Sequence, residues 1–151
     1  MKIFFAGIIQ GSKQGEHIHS QNYRDEVKSF LISHCPDCEV FDPVDGHEES
    51  VYYNDDRARE VFFGHLGIVQ SCDLLIAFLP EASMGTAIEM FEAYNNKIPI
   101  LTISPMTSNW VVRLLSYRNF ETVSAFEKFV LDNDITELID EYREATVKEN
   151  V

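Results

Sequence analysis

The stretch Cys72-Asp73-Leu74-Leu75-Ile76-Ala77-Phe78-Leu79-Pro80-Glu81-Ala82-Ser83-Met84-Gly85-Thr86-Ala87-Ile88-Glu89 decides the fold. Asp73 to Leu79 is apolar after its first residue, which predicts a strand covered on both faces and therefore a parallel sheet. Ser83-Met84-Gly85-Thr86 then joins that strand to a helix running from about Gly85 to Asn95. Such a helix start offers unpaired N–H groups to an anion or to a developing negative charge, and Gly85 leaves room for a ligand to approach the backbone. Glu89 follows about one turn later. Its carboxylate has two readings from spacing alone. It is a surface Glu on an amphipathic helix, as Glu92 is, or it is a carboxylate placed to act as a nucleophile or as a clamp on hydroxyl groups.

Working outward, Lys2 to Ile9 is a second apolar run, with Gly7 and Gly11 marking the loop that follows. A helix is predicted from about Ser20 to His34, with Tyr23, Val27, Phe30 and Leu31 at helical spacing. Glu39 to Asp42 reads as a short strand stopped by Pro43. A polar loop leads to a helix from about Asp55 to Ser71, expected to bury Val61, Phe62, Leu66 and Val69. Strand Ile98 to Ile103, a helical stretch from Trp110 to Leu115, a strand-like Phe120 to Val123 and acidic C-terminal helices complete the chain. Ser124 and Glu127 have capping-box spacing at the first of those helices. The alternation predicts βαβ units: residues 1–151 as a single-domain, doubly wound (Rossmann/flavodoxin-like) α/β fold, with a mostly parallel five-stranded sheet and helices on both faces. Ligands of such sheets bind beyond the carboxyl ends of the strands. That places the chemistry in the loops after Phe5, Phe41, Leu79 and Ile103.

Composition narrows the partners. The chain has 151 residues, 45% hydrophobic and 25% charged, a globular balance. Its net charge of −13 argues against nucleic acid as a partner, because phosphate backbones need clustered Lys and Arg. It also disfavours strongly anionic ligands. No apolar run is long enough to span a bilayer, and the chain enters a strand directly after Met1-Lys2, so neither membrane nor signal peptide is expected. Three cysteines cannot all pair, which fits a reducing compartment and a cytoplasmic location. Cys35-Pro36-Asp37-Cys38 follows a helix and precedes a strand, the reverse of a thioredoxin-type motif, and reads as a turn. There is no second Cys pair for zinc, and His17, His19 and His47 lack ligand spacing, so no metal and no cofactor are expected. Gly11 to Gly15 lacks the spacing of a phosphate-binding P-loop. Arg57, Arg59 and Arg113 read as surface or interface charges. Trp110 is read as a core anchor, with an aromatic wall against a base as the alternative.

The block from Cys72 to Tyr94, followed by Lys97-Ile98-Pro99-Ile100, resembles the nucleoside 2-deoxyribosyltransferase family, whose members show an aspartate, an apolar strand, a loop, Gly-Thr-x-x-Glu and then Lys-Pro before the next strand. Phe4 to Gly11 is similar to the family's first strand and loop, and Ser108-Asn109-Trp110 through Phe120 to a late segment. The resemblance implies an enzyme that cleaves or transfers the N-glycosidic bond of a (deoxy)nucleoside through a glutamate nucleophile, by the two-step logic of retaining glycosidases. The family also includes deoxynucleoside monophosphate hydrolases. Glu89 falls on the nucleophile, and Ser83 on the position that holds the sugar or the 5′-phosphate. Gly7, Gln10, Met84 and Gly85 fall in the substrate-binding loops. Asn109 falls near the position from which a neighbouring subunit completes the site, which implies a homodimer or higher homo-oligomer. Departures accompany the matches. A tyrosine that orients the glutamate stands here as Phe4, and an aspartate of the second helix as His65. An arginine and a serine of the hydrolases' phosphate loop stand as Gln10 and Ile8. These changes argue against a phosphate ligand. They leave His65 either as the general acid for the leaving base or as a satisfied helix histidine. They also keep open a domain that binds or senses a nucleoside or nucleotide without turning it over.

Overall fold

Five strands, β1 (Lys2–Gly7), β2 (Glu39–Phe41), β3 (Leu74–Phe78), β4 (Ile100–Ile103) and β5 (Arg118–Phe120), form one sheet in the order β2-β1-β3-β4-β5. Every pairing is parallel, with Ala6 beside Ala77 and Gly7 beside Phe78 in the central register. These positions come from a computed structural model, which describes residues 1–148. Parallel neighbours need crossovers, and four helices supply them, α1 (Asn22–His34), α2 (Asp55–Val69), α3 (Met84–Asn95) and α4 (Trp110–Leu115), while α5 (Val123–Asp132) and α6 (Ile135–Lys148) follow the last strand.

The strands alternate their side chains between two separate cores, as the period of two requires. Ile3, Phe5, Leu74 and Ile76 pack with Val27 and Leu31 of α1, Phe126 of α5 and Leu138 of α6. Phe4, Ala6, Leu75 and Ala77 pack on the opposite face with Val69 of α2, Met90 of α3 and Val112 of α4. Helices therefore cover both faces, and the doubly wound arrangement expected from the strand–helix alternation is present. Among the described residues, no helix is long and apolar enough to cross a membrane.

Several local expectations are corrected. The last strand lies at Arg118–Phe120 rather than Phe120 to Val123. The helix after it is capped by Thr122, whose extended backbone lets its hydroxyl accept from the Ala125 N–H, while Ser124 lies inside the first turn. Phe62 is not buried with Val69, because it faces a cavity described below. Trp110 is 72% exposed rather than a core anchor: α4 is short, and only Val112 of it is buried. Cys35 and Cys38 sit in a turn, as expected, and are disulfide-bonded to each other, leaving buried Cys72 free.

Candidate functional site

The order of the strands reverses at β1. The chain steps from β1 to β2 on one side and to β3 on the other, which opens a crevice beyond the carboxyl ends of β1 and β3. A cavity of about 330 Å³ lies there. Its floor comes from Gly7 at the end of β1 and the first turns of α3. One wall is the loop Ile9-Gln10-Gly11. The other is built from Pro43, His47, Ser50 and Tyr53 of the loop after β2, with Ala58, Val61, Phe62 and His65 of α2.

Gly7 is required by packing. A Cβ there would run into the hydroxyl of Tyr23, whose ring stacks on Phe78 at 4.0 Å between centroids. That hydroxyl donates to the Ile8 carbonyl at 2.9 Å, so it ties the β1 loop to α1. Gly85 is different. A Cβ there would meet nothing within 4 Å, so the fold itself leaves the position free, and the open space belongs to the cavity.

Ser83 caps α3. Its hydroxyl accepts from the Thr86 N–H at 3.4 Å and the Thr86 hydroxyl at 3.1 Å. The first-turn N–H groups of a helix have no intrahelical acceptors, and Met84 and Gly85 present that turn to the cavity. One turn on, Glu89 is half-buried and lines the same space. No side chain or backbone group among the described residues hydrogen-bonds its carboxyl. Burial pushes its pKa up to about 8, opposed by Arg24 and reinforced by Asp42. Such a carboxyl holds its proton near neutrality until something in the cavity draws it off.

His65 also lines the cavity, 5.4 Å from His47 between ring centroids and edge-on to Phe41. Burial and the neighbouring His47 lower its pKa below the ordinary imidazole value. His47 in turn shares a 2.9 Å hydrogen bond between its Nδ1 and the Tyr53 hydroxyl. Thus the expected set Gly7, Gln10, Ser83, Met84, Gly85, Glu89 and His65 converges on one space. Gln10 has its amide turned onto the Gly15 carbonyl of its own loop. Asn109 stands apart from them. Its side chain caps α4 by accepting from Val111 and Val112, and it lines a separate groove with Ser12, Met84 and Met106.

As loop residues His47 and Tyr53 carry no periodicity: the sequence offers Tyr53, beside Tyr23 and Tyr52, only as a replacement for the hydroxyl missing at Phe4, and His47 only as a metal ligand without ligand spacing. Arg24 and Asp42 had a readable signal. Arg24 shares the helical stripe of Val27 and Leu31, and a charge in a buried stripe demands a partner. It is 3% exposed and bonds Asp42 at 2.6 Å. Among the described residues, no group of three or more His, Cys, Asp or Glu is arranged to hold a metal.

No protein-family model and no curated protein matches the chain. Solved structures do. A 2-deoxyribosyltransferase from the psychrotolerant bacterium Bacillus psychrosaccharolyticus is 17% identical with a TM-score of 0.67, over 91% of this chain and 96% of that one. A conserved protein from Enterococcus faecalis V583 is 16% identical with a TM-score of 0.51, over 95% and 98%. A CMP N-glycosidase from Clostridium botulinum is 15% identical with a TM-score of 0.48, over 88% and 100%. Over nearly its whole length, then, the chain has the fold of a 2-deoxyribosyltransferase, the fold that the resemblance of its Ser83 to Glu89 block implied.

Proposed function

We propose that the protein is an enzyme acting on the N-glycosidic bond of a nucleoside, with Glu89 as nucleophile. The observation that carries this reading is the half-buried Glu89 carboxyl, set one turn into α3 and opening on the cavity at the reversal of strand order. In the first step an ionised Glu89 oxygen bonds to the anomeric carbon. The C–N bond breaks with its electron pair going to the base, and the base takes up the proton that Glu89 gave up on ionising, relayed through solvent. Water or a second base then displaces Glu89, giving hydrolysis or transfer. Ser83, Met84 and Gly85 would hold the sugar, and His65 and His47 the edge of the base. Because His65 is held below its ordinary pKa, it suits a neutral hydrogen-bonding role at pH 7 better than that of a ready acid.

The cavity is of a size that fits a nucleoside. No Lys or Arg lines it, which supports a neutral nucleoside over a 5′-monophosphate. A homo-oligomer belongs to the same reading. Met84, Phe91, Trp110 and Leu114 leave an apolar surface exposed on α3 and α4, of the kind that marks interaction sites.

A second reading has its own observation. Phe4 is fully buried and brings no hydroxyl, and among the described residues no hydrogen-bond donor orients Glu89. That favours a domain that binds a nucleoside without cleaving it. A panel of deoxynucleosides, nucleosides and monophosphates, with and without an acceptor base, separates the two. Release of free base by the wild type and not by Glu89→Gln supports the enzyme. Ligand binding with no turnover across the panel supports the binding domain. Turnover unchanged in Glu89→Gln removes Glu89 as nucleophile.

A further inference from the structure

A guanidinium lies buried directly behind the cavity floor, and nothing in the proposed chemistry touches it. Arg24 of α1 donates from Nη2 to the Gly7 carbonyl at 2.9 Å and from Nη1 to the Phe5 carbonyl at 3.3 Å. Nη1 also meets Asp42 Oδ1 at 2.6 Å, and Nε donates to Gln21 at 2.7 Å. The guanidinium lies 5.2 Å from the Tyr23 ring centroid. Asp42, 2% exposed, also accepts from the Val44 N–H and pairs with Lys28 at 3.1 Å. Burying a charge in this way costs several kcal/mol unless it is paired and hydrogen-bonded.

We propose that Arg24 and Asp42 are positioning residues of this site: together they fix the ends of β1 and β2 under the cavity and set the charge on Glu89. The proposal rests on the reading of Glu89 as the working carboxylate. The arrangement is asymmetric. Arg24 holds the Gly7 carbonyl, and Gly7 is part of the floor on which Glu89 opens. Asp42, bonded to the guanidinium, acts on Glu89 in the opposite sense. The titratable groups around Glu89 among the described residues are Tyr23 and Arg24 of α1, Asp42 after β2, and across the cavity His47, Tyr53 and His65. Arg24 favours the carboxylate and Asp42 the neutral acid. Burial holds the proton on Glu89, and the pair beneath it sets how far that hold extends, Arg24 weakening it and Asp42 restoring part of it.

Opposite-sign shifts test this, because a common loosening of the fold would move Glu89 the same way in both variants. In the full chain labelled with carboxyl-¹³C glutamate, the Glu89 resonance is the one that Glu89→Gln removes, and its midpoint is followed against pH. Asp42→Asn leaves Arg24 unopposed and moves the midpoint down by roughly one pH unit. Arg24→Gln leaves Asp42 opposed by Lys28 alone and moves it up. Arg24→Lys keeps the cation and stays near the wild type, and it provides the comparison with Asp42→Asn if Arg24→Gln does not fold. Midpoints that stay put in folded variants, or that move in the same direction for Asp42→Asn and Arg24→Gln, overturn the proposal. So does an Arg24→Lys midpoint displaced as far as that of Asp42→Asn. The acid limb of kcat/KM should follow the same order. Opposite shifts without any turnover would sustain this proposal and remove the enzymatic reading. Turnover dependent on Glu89 with unmoved midpoints would do the reverse.

Discussion

The rings of His47 and His65 stand edge to face, 5.4 Å apart between centroids, on the wall of the cavity that contains Glu89. Two imidazoles this close cannot both carry a proton cheaply, and His47 is already anchored to the Tyr53 hydroxyl. Burial first, and His47 second, hold His65 below the ordinary 6.5. Above pH 6.5 this has no effect on stability. As the pH falls below it, the unfolded chain binds the proton before the folded one does, and the fold weakens. In imidazole NMR, His65 should titrate below 6.5, and His47→Gln should raise its midpoint. A His65 midpoint at or above 6.5 in the wild type would show the ring to be solvated.

Glu89 gives a second pH dependence with the opposite window. Its ordinary pKa of 4.5 is raised to about 8 by burial. Below pH 4.5 both states keep the proton. Between 4.5 and about 8 the unfolded chain ionises first, so stability falls by at most about 1.4 kcal/mol per pH unit from this group. Glu89→Gln abolishes that loss. Urea unfolding at pH 4, 6.5 and 9 should show the variant equal to the wild type at the lowest pH and progressively more stable above it. A gap that does not change with pH would mean that the carboxyl titrates alike in the folded and the unfolded chain.

Thr122 and Ser124 make a direct test of local structure. The Ser124-x-x-Glu127 spacing names one cap and the structure another, with Thr122 accepting from Ala125 at 3.1 Å. Thr122→Ala should cost about 1 kcal/mol, or about 3 °C in Tm for a chain of this size. Ser124→Ala should stay within about 0.5 kcal/mol. Calorimetry showing the reverse order would restore the capping box.

The strand runs and helical stripes were legible because burial on a sheet imposes periods that a sequence displays directly. Leu74 to Phe78 and Ile100 to Ile103 lie where their apolar runs placed them. Glu89 was legible because a helix start after a buried strand is a local event. Trp110 was misread because a large aromatic side chain favours the core only when its helix has a second buried face, and α4 buries Val112 alone. The wall residues His47 and Tyr53 depend on how a loop after β2 folds back over α2, a long-range outcome that no local pattern encodes. Asn109 resembled a site residue in sequence, yet in the single chain its amide oxygen is engaged by the first turn of α4.

Asp73 fastens the C-terminal helix to the sheet. One oxygen accepts from the Lys2 N–H at 2.8 Å and the other from Arg143 at 2.7 Å. The Lys2 N–H first, and Arg143 after it, hold the carboxyl below its ordinary 3.8. The stability gained is therefore present above pH 3.8 and lost as the pH falls through the lower folded value. Both ends of the ion pair are partly solvated, so Arg143→Ala should cost less than about 1 kcal/mol, and less still in high salt. Asp73→Ala, which also strands the Lys2 N–H, should cost about 1–2 kcal/mol. Equal losses from the two variants in denaturant titrations would place the whole effect in the ion pair.

The cavity's two boundaries differ in their freedom to change. Beneath it, a single guanidinium grips two strand carbonyls and the Asp42 carboxylate, so an exchange at any of these positions disturbs the others. Beside it, Pro43, Ala58, Val61 and Phe62 meet the empty space with side chains that no hydrogen bond restrains. Selectivity for one ligand over another can thus be rewritten along that side without dismantling the machinery below, and a library confined to those four positions is the economical route to a different specificity.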